Sequence, residues 1–442
     1  MQDRISRRGF LKSAGMVVGA GLLAGCVPAA PAPAAQEGAA PAGEVTNLRF
    51  TIVAGMDEMP GWEGITNAWN EDNAGVQVTL EQLPGSWDEY IQKMTAQLAA
   101  GDPPDIGRMG VAYMPAFIQN GQLTDLGPMA ERDAFPYEDY YENAFEPYKM
   151  DSSLWGMPIG IYTMVNYVNK TLFAEAGVEL PPMDWNNTWE WAEFREKAAQ
   201  IASGEGPDKR FGLNINFFIE RSIQYIWQNG GDFLSADKTR CTIDEPAAIE
   251  AMELLQAIIW EDGAAPQPAQ LQTLPADEMF RTGRVAMMQE GQWMMGFMRN
   301  IEGYEWGVTP FPTKVGPATE IYVDGYVVFK GAAHPDESWA VVKSFVGEKA
   351  ENILVDTALA GIPVLRSVAE ARTPDMFDPL PPEEKQVMFD SIAVSKSVPF
   401  TPNWRELMEA ATAELDLVAL NDKPAADACV TIAEKVNALL GA

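Results

Sequence analysis

The chain has one histidine and three cysteines, and it has 31 lysines and arginines against 63 aspartates and glutamates in 442 residues. A single imidazole rules out His-rich metal sites and most Ser-His or Cys-His catalysis, which need a positioned ring beside the nucleophile or ion. A formal net charge of −32 argues against nucleic acid and anionic surfaces, because both would repel the chain. Long apolar runs are scarce as well. Residues 14–24 are apolar but too short to cross a bilayer, which takes about 20 residues. No segment repeats at a fixed period, and no pattern of metal ligands surrounds Cys241 or Cys429.

What is present begins at the N-terminus. Residues 6–12 read SRRGFLK, a close match to a twin-arginine export signal, and residues 14–24 supply its apolar segment. Leu23-Ala24-Gly25-Cys26 has the form of a bacterial lipobox, in which Cys26 is acylated and becomes the new N-terminus. Residues 1–25 are thus expected to be a signal peptide. Lipid chains on Cys26 would hold the protein at the outer face of the cell membrane, or in a periplasm, without a spanning helix. Residues 26–44 are rich in Ala, Pro and Gly with no periodic apolar face, and read as a solvated tether.

The remaining length exceeds what one core usually supports, so two domains are expected. Strand patterns at 48–55 and 76–83 alternate with helical patterns carrying Trp62, Ile65 and Trp69, then Tyr90, Met94 and Leu98. Such alternation predicts a parallel sheet covered by helices, with ligands beyond the carboxyl ends of the strands. The loops at 55–58, 108–113 and 160–162 would then face one crevice. Residues 155–182 read as a strand, a stop at Asn169-Lys170, a helix capped by Thr171 and closed by Gly177, and two prolines. This stretch is where the chain is expected to cross between domains. Residues 212–218 and 284–288 read as strands, and 246–260 as a long helix with Ala248, Met252, Leu255 and Ile259 inward.

Several segments, in order, carry a resemblance. They are LAAGDPPDI (98–106), WGMP (155–158), YVNKTLF (167–173), FRTGRVAM (280–287), GQW (291–293), WGVTPFP (306–312), ESWA (337–340) and GIP (361–363). Together they resemble the family 1 extracellular solute-binding proteins, receptors of ABC importers typified by maltodextrin-binding protein. Asp324-Gly325 stands where that family more often has a double glycine. The resemblance implies an α/β, two-lobed periplasmic-binding-protein fold (type II-like), each lobe a mostly parallel sheet flanked by helices, with a ligand cleft between. Lobe one would take 45–159 plus 328–372, and lobe two 162–325 plus 373–442. Cys241 and Cys429 would share lobe two, either as a disulfide or as two separate buried thiols.

The implied function is capture of a mono- or oligosaccharide by hinge closure and its delivery, by a monomeric non-enzymatic protein without cofactor or metal, to a membrane permease. A sugar offers flat apolar faces and hydroxyl edges, so its site needs aromatic planes and fixed polar groups. On the family pattern these are Tyr162, Trp293 and Trp404 as planes, with Asp57, Tyr113, Asp324, Gly325 and Tyr326 from loops and the second crossover. Trp69, Trp87, Trp189, Trp191, Trp260 and Trp339 read as packing. The alternatives are a same-fold receptor for glycerol phosphate, a polyol or a polyamine, or an exported carbohydrate-active enzyme working with two carboxylates. Arg108 and Arg366 are the cations weighed for an anionic solute.

Overall fold

A computed structural model describes residues 45–56, 58–83, 85–150, 152–357, 361–372 and 375–441. The expected signal peptide and tether, with Cys26, lie outside these residues, as does Asp57. The strands are β1 (Thr46–Ile52), β2 (Val76–Gln82), β3 (Ile106–Gly110), β4 (Lys149–Met150), β5 (Ser153–Leu154), β6 (Met157–Asn169), β7 (Met287–Gly291), β8 (Trp306–Thr309), β9 (Thr319–Val328), β10 (Ile362–Pro363) and β11 (Ser395–Lys396). All but the β4–β5 pair join one sheet of order β10-β6-β9-β3-β1-β2, with β11 on β9 and β7 and β8 on β6.

The parallel register predicted from strand–helix alternation is found across β2, β1 and β3. Between β1 and β2 runs the helix Met59–Asp72, which buries Trp62 and Ile65. Between β2 and β3 runs Trp87–Ala99, whose start is fixed by a reciprocal Ser86–Glu89 capping box. Along β3, β9, β6 and β10 the pairing is antiparallel, as it is for β7 and β8 on β6, while the short β11 is parallel to β9. β9 runs against β3 along 324–328 and against β6 along 321–326. The reason lies in β6, whose thirteen residues are all buried. Buried backbone must be paired along its whole length. Residues 157–163 of β6 pair with β9, whereas 164–169 pair with β7 and β8. The expected crossing segment is therefore one continuous strand seated in two sheet regions, with a bulge between Pro158 and Gly160.

Local expectations hold or shift for identifiable reasons. Gly177 closes the helix Lys170–Ala176 in the left-handed region (φ 66°), where a side chain would be strained. The cap at its start is Asn169, not Thr171, because the Asn169 side chain accepts from the Leu172 amide. Residues 212–218 form no strand; they hold the sheet by single contacts such as Asn214 N–H to the Met287 carbonyl. The helix Pro246–Trp260 is as expected, with Ala248, Met252, Leu255 and Ile259 buried.

The disulfide between Cys241 and Cys429 is not made. Both are free, buried thiols. Burial pushes them up, to about 11 and about 12 respectively.

One buried carboxyl bears on stability. Glu351 is 2% exposed and accepts from the Leu365 amide through one oxygen, while its other oxygen has no partner. Burial pushes it up to about 8. The folded state therefore holds a proton that the unfolded chain releases near pH 4.5. Stability present below that pH should decline as pH rises toward 8, at about 1.4 kcal/mol per unit at most. Urea unfolding at about pH 5, 6.5 and 8 should show this decline in the wild type and a flatter profile in Glu351→Gln.

Candidate functional site

A cleft of about 680 Å³ opens where β6 and β9 cross, beyond the carboxyl ends of β1, β2 and β3. The loop after β1 brings Val53, Gly55 and Glu58, and the turn after β2 brings Ser86 and Trp87. β3 contributes Arg108, β6 contributes Tyr162, and β9 contributes Tyr322 and Asp324. The opposite wall has Trp293, just after β7, and Arg221, in the first turn of the helix Ile219–Gln228. Two other hollows of similar volume lie among helices, one beside Trp191 and Trp260 and one beside Phe217 and Pro268. Neither lies where strands converge.

Each wall is organised by one arginine. Arg108 is 5% exposed and lies between the rings of Trp62 and Trp87, its guanidinium 5.0 and 5.3 Å from their centroids. Its Nη2 and Nε both donate to Asp324 Oδ2, at 2.5 and 3.1 Å, and Nη1 donates to the Val53 carbonyl and to Glu58. Burial alone would lower Arg108, but Asp324 and Glu58 more than offset that and hold it protonated. A buried cation with two carboxylates and a carbonyl is a rigid donor set rather than a free charge.

Arg221 sits over Trp293 and Tyr322, 5.5 and 5.4 Å from the ring centroids, and donates to the Tyr322 hydroxyl. Glu290 and Glu320 approach it at 3.7 and 3.8 Å. Trp293 meets Tyr322 edge-on at 5.1 Å and Tyr162 at 6.4 Å, so three aromatic rings form one continuous surface. Tyr162 is nearly buried, and burial together with Asp324 raises its hydroxyl well above the ordinary value, leaving it a neutral donor.

Of the residues named from sequence, Tyr162, Trp293 and Asp324 line this cleft. Tyr113 lies one layer behind it, stacked on Trp87 at 5.9 Å with its hydroxyl 3.4 Å from Asp88. Three others lie elsewhere. Gly325 faces away from Asp324, and a Cβ there would come within 2.4 Å of the Tyr148 ring, so its role is close packing. Tyr326 shares the face of Asp324 but lies beneath Trp62, among Phe50 and Phe345, wholly buried. Trp404 is 3% exposed, packs edge-on against Phe233 and Phe400, and donates to Glu220 at 3.0 Å. Arg366 is outside the cleft; it stacks over Tyr141 and donates to the Tyr140 carbonyl.

Trp87, Arg221 and Tyr322 are not singled out for the cleft by sequence reasoning. Trp87, expected to be packing, follows the cap Ser86, and a residue in a first helical turn can face a crevice as readily as the core. Arg221 opens an amphipathic helix, and Tyr322 lies two residues before Asp324, a period-two signal that could have found it.

Replacing Trp404 by Ala should lower the unfolding free energy by about 3–5 kcal/mol, through a lost core ring and a stranded Glu220. Urea titration would check this, with Tyr113→Phe expected within about 0.5 kcal/mol of wild type.

Comparison with known proteins gives consistent results. The sequence profile described as bacterial extracellular solute-binding protein matches residues 54–352. A Brucella abortus protein named as a binding protein is 28% identical over 331 residues, covering 73% of this chain and 75% of that one. Among solved structures, an ABC substrate-binding protein of Listeria monocytogenes in complex with cycloalternan superposes with a TM-score of 0.79 at 21% identity, over 90% of this chain and all of that one. The cyclic α-maltosyl-1,6-maltose binding protein of Arthrobacter globiformis gives 0.76 at 21% identity, over 90% and 99%. The fold shared with these structures is the two-lobed α/β periplasmic solute-binding fold.

Proposed function

The chain belongs to the bacterial extracellular solute-binding protein family, and we propose that it is the receptor of an ABC importer that captures a carbohydrate in the cleft and presents it to a permease. The observation that carries this reading is the joined aromatic surface of Tyr162, Trp293 and Tyr322 facing polar groups already held in place by Arg108. A sugar ring would lie on Trp293 or Tyr322 by its apolar face. Its hydroxyls would meet Asp324 Oδ1, Glu58 and the remaining N–H of Arg108. Since ion pairs have already oriented these groups, little side-chain freedom is lost on binding. The relatives' structures with cycloalternan and the cyclic maltosyl-maltose receptor support the same solute class.

The residues at the crossing, around Gly160 to Tyr162 on β6 and Asp324 on β9, would be the hinge. On this reading lobe one is 45–159 plus 328–372 and lobe two is 162–325 plus 373–442. Closure is driven by contacts made only when Glu58 and Arg108 on lobe one and Trp293 and Arg221 on lobe two touch one solute. An anionic solute is disfavoured. The carboxylates of Glu58, Asp324 and Glu290 outnumber the two guanidiniums of Arg108 and Arg221 that they face.

A thermal-shift screen tests the reading. A sugar present at about 100 times its Kd should add about 2.7 kcal/mol of stability. A polyamine or glycerol phosphate that shifts the melting temperature where no sugar does would overturn it. With the bound sugar, Trp293→Ala should weaken affinity by about 2 kcal/mol, roughly 30-fold, without unfolding the protein. Calorimetric titration would read this, and an unchanged Kd removes Trp293 from the site.

We further propose that Cys26 carries the lipid anchor. Metabolic labelling with an alkyne fatty acid should mark the wild type and leave Cys26→Ser unmarked.

A further inference from the structure

Behind the aromatic wall lies a group that the binding reading leaves unused. Glu320, on β9, is wholly buried, and neither of its carboxyl oxygens makes a well-formed hydrogen bond, although the Tyr322 hydroxyl lies close to it. The groups facing it are Arg221 and Glu220 from the helix Ile219–Gln228, Glu290 from β7 and Tyr322 from its own strand, with Lys396 of β11 its register partner. Arg221 Nη1 lies 3.8 Å from Glu320 Oε2, close enough for attraction and too far for a hydrogen bond. That nitrogen donates instead to the Tyr322 hydroxyl, while Glu290 waits at 3.7 Å from Nη2. Arg221 thus stands between one hydroxyl that holds it and two carboxyls that do not.

A carboxylate buried without hydrogen bonds is costly, and the cheaper state is the protonated acid. Burial raises Glu320 well above the carboxylate range; Arg221 and then Tyr322 oppose this, and Glu220 and Glu290 add to it. Beside these groups a small void lies among Asn214, Arg221, Gln224 and Gln289, bordered by unpartnered atoms of Asn214 and Gln289. The void has about 10 Å³, room for one water at most beside the guanidinium, whose shift to Glu320 needs only the approach from 3.8 Å.

We propose that Glu320 is a positioning residue for solute capture: it stands behind Arg221 as a neutral acid, and takes over the guanidinium when a solute hydroxyl replaces Arg221 as the partner of Tyr322. In that exchange the Arg221–Tyr322 hydrogen bond breaks, an Arg221–Glu320 ion pair forms, and the carboxyl proton leaves through the cleft to the solvent buffer. Retraction of Arg221 also uncovers the ring faces of Trp293 and Tyr322 for the solute. The consequence is proton release on binding, with affinity that rises with pH between the bound and free titration points of Glu320.

The inference rests on the cleft being the solute site, but its first test needs no solute. In protein labelled with glutamate carboxyl ¹³C, the signal absent from Glu320→Gln should titrate above the ordinary carboxylate range. In Tyr322→Phe the small lowering effect of the hydroxyl is lost, but Arg221 is freed to close on Glu320, and the same signal should fall to lower pH overall. An ordinary titration in the wild type, or no change in Tyr322→Phe, overturns the proposal. The second test is calorimetry at about pH 7 in phosphate and in Tris with cycloalternan and maltotetraose. Wild type should release up to one proton per sugar bound, and Glu320→Gln none, with an affinity about tenfold different. Equal heats in both buffers overturn the proposal. Absence of binding by either sugar, with the carboxyl titrations as expected, counts against the carbohydrate reading and leaves the Arg221–Glu320 exchange standing.

Discussion

The structure depends on the burial of β6. A thirteen-residue strand with no exposed position has to satisfy its amides and carbonyls on both edges along its whole length. No single neighbour is long enough to do that. β9 and β10 serve the first half, and β7 and β8 serve the second. The requirement draws four distant segments to one place, and it forces β9 to bridge from β6 to β3. The cleft lies at the seam because that is where the pairing partner of β6 changes. Side chains from both sets of partners point into the same gap.

Within the gap, charge is handled by pairing rather than by exclusion. The chain is strongly acidic, and each of the two cleft arginines has two acidic side chains within 4 Å, Glu58 and Asp324 at Arg108 and Glu290 and Glu320 at Arg221. Arg108 is locked by five hydrogen bonds and two indole faces, and removing one partner of such a buried set leaves an uncompensated charge. Arg221 is held more loosely. It has one hydroxyl bond, two aromatic rings and two carboxyls just beyond bonding distance. The two walls thus differ in stiffness: one presents a preset polar edge, and the other has a cation able to change partner.

Much of this is legible in the order and spacing of the residues. Strand–helix alternation, the caps and the order of the motifs point to the α/β architecture, and the crossing near Gly160 is located by a strand that ends in Asn169 and a helix that ends in Gly177. Tyr162, Trp293 and Asp324 are expected in the cleft and line it. Trp404, Gly325 and Tyr326 are expected there and do not. Trp404 belongs to a helix start covered by Phe233 and Phe400, and Tyr326 is covered by Trp62, which comes from a helix far earlier in the chain. Sequence spacing reports which face of an element a side chain occupies; what covers that face is set by remote segments.

The sequence by itself determined the strand–helix alternation and the scarcity of groups for histidine or metal chemistry, because these follow from composition and short-range pattern, and its ordered motifs carried the resemblance to the family. Only the tertiary structure decided that Trp87 is wall rather than core, that Cys241 and Cys429 remain thiols, and that Arg221, Tyr322 and Glu320 meet. Those outcomes depend on how far apart residues distant in sequence come to rest. Burial and hydrogen bonding act on that distance alone.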